Sequence, residues 1–108
     1  MKINVDYVQL ENGNVLLKNV LDPETKELIE IELRDLQYEE IQILQNAQKT
    51  NANVIDETYK LLACIIVKWG NDSGITTLEL RSKGFKIYRL LEGALQEFFL
   101  PEFEFKAN

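Results

Sequence analysis

The sequence predicts an α+β fold: an N-terminal antiparallel three-stranded sheet, built from two hairpins, packed against three or four helices. Three observations predict it. Apolar residues alternate with polar ones in the first third, turn dipeptides punctuate that third twice, and helical spacing with capping residues takes over beyond residue 35. A chain of 108 residues, 45% hydrophobic and 28% charged, has the length of one domain. The expected organisation is a hairpin region over 2–33, a helical region over 35–99 and a C-terminal arm over 100–108.

The strands come first. Ile3, Val5 and Tyr7 alternate with polar residues, and the apolar run Val15-Leu16-Leu17 resumes after Asn12-Gly13. Asn-Gly tolerates the positive backbone angles of a tight hairpin turn, so residues 2–10 and 14–21 are expected to pair antiparallel. Asp22-Pro23-Glu24-Thr25 forms a second turn, with proline presetting its first central angle. Beyond it, Ile29, Ile31 and Leu33 face one way and Leu28, Glu30 and Glu32 the other, the period of a half-buried strand.

Helices supply the cover for the apolar face. Asp35 is the expected cap of a helix running to about Lys49, with Glu39 and Glu40 in its first turn and Ile41 and Leu44 facing inward. A second helix starts at Asn53 as cap, with Asp56 and Glu57 in its first turn, Lys68 in its last and Gly70 just past its end. Along it, Ile55, Tyr59, Leu62, Ile66 and Trp69 recur at helical spacing. A buried strand over 61–67 is the alternative, supported by the β-branched run Ile65-Ile66-Val67. Thr76 and Glu79 match a capping box and predict a short helix over 77–83 closed by Gly84, although ITTLEL also fits an edge strand. Ile87, Tyr88, Leu91, Leu95 and Phe98 mark a last helix over 85–99, in which Gly93 permits close helix contact.

Composition excludes much chemistry. With 12 basic residues against 18 acidic ones the net charge is -6, which repels phosphate backbones and anionic headgroups, so neither nucleic acid nor membrane is expected as a partner. The absence of histidine and the single cysteine, Cys64, remove the usual zinc sets, His-dependent nucleophiles and internal disulfides. No catalytic, metal or cofactor site is expected, and Cys64, inside an apolar run, reads as core. The N-terminus lacks the apolar region of a secretory signal, so a cytoplasmic location is expected.

The carboxylate pairs Glu39-Glu40 and Asp56-Glu57 are the remaining acid/base candidates. Adjacent helical residues point about 100° apart and do not converge on one ligand, whereas first-turn acids already serve the helix dipole. Glu30, Glu32, Glu39 and Glu40 make a possible acidic patch, since the first half of the chain holds 10 of the 18 acids and only 5 of the 12 basic residues. Such a patch could replace phosphates in the cleft of a nucleic-acid-binding defence protein. A solvated sheet face is the plainer reading. In the arm, Phe103 and Phe105 alternate with Glu102 and Glu104, which suits a strand on a sheet edge or an aromatic contact with a partner or a second copy. Trp69, Gly70, Asn71, Asp72 and Gly74 read as a corner, with partner contact as the alternative.

A helix ending in Val67-Lys68-Trp69, then Asn71-Asp72 and Gly74, then Leu78 and a closing helix with Leu90-Leu91 and Leu95, resembles the tail assembly chaperones of long-tailed bacteriophages. The resemblance spans residues 55–99 and rests on a short motif. It implies a non-enzymatic, helix-rich protein that binds a tape-measure or tail tube protein during tail assembly. Trp69, Asn71, Asp72 and Gly74 carry over as a shared turn; the more extensive N-terminal hairpin and the short loop after the tryptophan depart from the pattern.

Overall fold

The computed structural model describes residues 5–50 and 53–101. Its elements run β1 (Asp6–Gln9), β2 (Val15–Leu21), β3 (Leu28–Leu33), α1 (Tyr38–Lys49), α2 (Val54–Ile65), β4 (Ile66–Trp69), α3 (Thr77–Ser82) and α4 (Phe85–Phe98). The α+β class stands, with four antiparallel strands in the order β1-β2-β3-β4. The fourth strand comes from the middle of the chain, after two helices.

Both predicted hairpins are present. Gly13 N–H donates to Leu10 O at 3.0 Å, and Leu10 N–H to Asn14 O at 2.8 Å. This is a three-residue loop in which Gly13 alone takes positive φ, so the turn is not the two-residue Asn-Gly form. The second turn is held by Asp22, whose Oδ1 accepts the Glu24 N–H at 2.9 Å. Lys26, at φ 64, completes the reversal.

One sheet face joins the core. Val15, Leu17, Ile31 and Leu33 are buried together with Leu44 of α1, Leu62 and Ile65 of α2, Leu80 of α3 and Leu91 and Leu95 of α4. In β2, Leu17 and Val20 are both buried although three residues apart. The pairing with β3 shifts between them, and Asn19 sits at φ 57, so a bulge resets the alternation. The opposite face carries Lys18, Glu30, Glu32 and Lys68 beside exposed Val8, Leu21 and Leu28.

The helix expected to run through Trp69 does not extend that far. It stops at Ile65, and residues 66–69 pair with β3, Ile31 opposite Trp69 and Leu33 opposite Ile66. The Ile65 carbonyl accepts the Arg34 N–H at 2.9 Å, so the end of β3 takes up a bond that a longer helix would have closed. Val67 is the extra residue of a bulge, which lets Ile66 and Trp69, three apart, share the buried face. Lys68 therefore lies in a strand and not in a last helical turn, and Gly70 turns the chain out of the sheet instead of ending a helix.

Smaller corrections follow the same logic of neighbours. Helix α1 starts at Gln37 as cap, two residues after Asp35, because Glu40 reaches back to accept the Gln37 N–H at 2.7 Å. Asn53 does cap α2, but through a left-handed backbone without a side-chain bond. In its first turn Val54 is buried and Ile55 exposed, and Cys64 is exposed instead of belonging to the core. Of the two readings of residues 77–83 the helix holds: Thr76 Oγ1 accepts the Glu79 N–H and Glu79 Oε1 the Thr76 N–H, both at 3.1 Å. Gly93 is buried within α4. Phe103, Phe105 and most of the C-terminal arm lie outside the described residues. Among the described residues no helix is long and apolar enough to cross a membrane.

Candidate functional site

The corner after β4 is built by its own backbone. Trp69 and Asp72 exchange N–H···O bonds, each 2.9 Å, and Gly70 N–H donates to Glu30 O at 2.8 Å. Gly70 at φ 60 and Gly74 at φ 150 supply conformations that side-chain-bearing residues disfavour. Asn71, Asp72 and Trp69 come together along a polar cleft of about 450 Å3, whose far wall is the β2–β3 turn with Asp22, Thr25 and Glu27. Trp69 itself is only 5% exposed, so it forms the floor of that cleft.

Against the floor, at the Asp22 wall, lies a cluster that no local sequence pattern announces. Asp22 is buried at 3% exposure; its Oδ2 accepts the indole N–H of Trp69 at 3.2 Å and faces Lys83 Nζ at 3.1 Å. Lys83 also reaches Glu24 at 3.1 Å and lies over the Trp69 ring, 5.5 Å from its centroid. Ser82 Oγ donates to Glu24 Oε1 at 3.0 Å. Burial works against the charged form of Asp22, but the Glu24 N–H, Lys83 and Trp69 together hold its pKa below the usual carboxylate value. Lys83 is raised in turn: burial opposes its charge, and the two carboxylates outweigh that. These contacts make the group a clasp between the β2–β3 turn, β4 and the end of α3.

The proposed acidic patch is dispersed and partly neutralised. Glu30 lies between Lys18 at 4.0 Å and Lys68 at 3.6 Å, and Glu32 accepts from Asn14 Nδ2 at 2.8 Å. Glu40 forms a two-pronged pair with Arg34, at 3.0 and 2.8 Å. Those hydrogen bonds hold the Glu40 carboxyl below its ordinary range against the effect of burial. Glu39 is exposed in the first turn of α1. Asp56, of the other candidate pair, forms an ion pair with Arg81, and Glu57 with Lys60 at 3.4 Å. Among the described residues no group of three or more potential metal-binding side chains is assembled.

A different surface is apolar. Helices α1 and α2 leave between them a depression of about 190 Å3 lined by Glu40, Ile43, Leu44, Glu57, Lys60, Leu61 and Cys64. Leu44 and Leu61 are buried and form its floor, whereas Ile43 is 54% exposed on its rim. The sequence held a partial signal for it. Ile43 is the large aliphatic residue of α1 outside the inward pair Ile41 and Leu44, and Cys64 lies on α2 three positions after Leu61.

Other residues of the resemblance fall on both sides of the surface. Leu91 and Leu95 are fully buried, while Leu78 of α3 is 78% exposed. Comparison with protein-family models, with curated proteins and with solved structures finds no match.

Proposed function

We propose that this chain is a non-enzymatic protein-binding module that acts in the cytoplasm as an assembly chaperone, holding an amphipathic helix of a tape-measure or tail tube protein. The observation that carries the reading is the apolar depression between α1 and α2. Its buried floor of Leu44 and Leu61 and its exposed rim residue Ile43 offer an apolar stripe, and Glu57 and Lys60 border it with charge. A client helix would lay its own i, i+3, i+4 stripe there, the helix-in-groove mode of recognition. The motif behind the phage resemblance expects a helix through Val67–Trp69, and those residues form β4; the groove therefore supports the reading, not the motif. Glu30, Glu32 and Glu40 are each engaged by a neighbouring donor, which favours the groove over a phosphate-mimicking surface.

Co-expression with candidate tape-measure and tail tube proteins tests the proposal. A client that becomes soluble, co-purifies at both low and high salt, and is lost on Ile43→Lys supports it, because apolar contact is little screened by ions. Failure of every such client to co-purify, or undiminished binding by Ile43→Lys, overturns it. Binding that survives Ile43→Lys but falls steeply with salt identifies the acidic-patch reading instead.

A further inference from the structure

We draw no further inference here: the strongest candidate, the outer edge of β1 beside the Tyr7–Phe98 ring contact, presents a strand whose four residues are all exposed, and nothing among the described residues shows what covers it.

Discussion

Trp69 donates its indole N–H to Asp22, 47 positions earlier in the chain, and the same carboxylate oxygen pairs with Lys83, whose ammonium lies over the indole ring. The side chains of Asp22 and Lys83 are 5% and 12% exposed, so water screens the pair little. Removing Asp22 leaves the buried Trp69 N–H without its acceptor and Lys83 with only the half-exposed Glu24 as a counter-ion. Asp22→Ala is expected to lower stability by about 3 kcal/mol. Asp22→Asn, which keeps an acceptor for the Glu24 N–H, is expected to cost less. Denaturant titration followed by the fluorescence of Trp69 measures both, and a loss below about 1 kcal/mol for Asp22→Ala would show that the clasp contributes no more than a surface pair.

The pH dependence follows from Asp22 and Lys83 together with Glu40 of the Arg34 pair. Asp22 and Glu40 have folded pKa values below their unfolded ones, so near pH 4 the unfolded chain binds more protons and acid favours it. Their contribution is complete above the unfolded value and is lost as pH falls through the lower folded values. Lys83 is raised, so its contribution is complete below the unfolded value and is lost as pH climbs through the folded one. The urea midpoint is expected to stay level from about pH 5 to 9, dropping below about pH 4 and above about pH 10. Asp22→Asn should flatten the acid limb; an unchanged limb would remove Asp22 from the account.

Gly70 tests the corner. Its φ of 60 is left-handed, and an added Cβ would stand 3.4 Å from Ile29 Cγ2, a contact the isoleucine can accommodate. The cost is then mainly conformational. Gly70→Ala is expected to destabilise by about 1 kcal/mol, Gly70→Asn by less, and the β-branched Gly70→Val by more. Thermal unfolding of the three variants gives the order, and a neutral Gly70→Val would contradict the assigned backbone.

Cys64 reports on the groove. Because it is exposed, one equivalent of a thiol reagent should label the native protein completely, without denaturant. Bound client should protect it. Ile43→Lys, at an exposed rim position, should change stability by no more than about 0.5 kcal/mol while abolishing client binding. A thiol that reacts only on unfolding would refute the exposed placement.

What could be read from the residues alone depended on how local the signal was. The capping box of Thr76 and Glu79 sits within four residues and marks the start of α3, while the strand-like pattern of ITTLEL leaves an edge strand open from the residues alone. The strands of residues 15–33 were legible because period-two alternation is interrupted by recognisable turns. The passage from α2 to β4 was not, and the reason is geometric. Ile66 and Trp69 are three apart, the spacing of a helical stripe, yet a bulge at Val67 gives a strand the same spacing. Leu17 and Val20 repeat this device in β2. Periodicity does not separate the two cases; the β-branched run Ile65-Ile66-Val67 favours a strand, whereas the paired caps from Asn53 to Gly70 favour a helix, and Gly70 serves a different corner. The Asp22, Trp69 and Lys83 clasp joins residues up to 61 positions apart, so no local pattern announces it. The groove is legible only in part: Ile43 stands outside the inward pair of α1, but the shape of the depression depends on how two helices lean together.

Helix α2 hands directly to β4, Ile65 closing one and Ile66 opening the other. With no linker residue between them, an insertion or deletion at this joint would throw either the helix stripe or the strand register out of phase unless the bulge at Val67 absorbed it, because both are anchored in the same interior. A rotation of α2 about its axis would likewise be felt at once as torsion in the sheet. The seam is thus a stiff coupling where most domains place slack, and it ties the wall of the groove mechanically to the corner at Trp69.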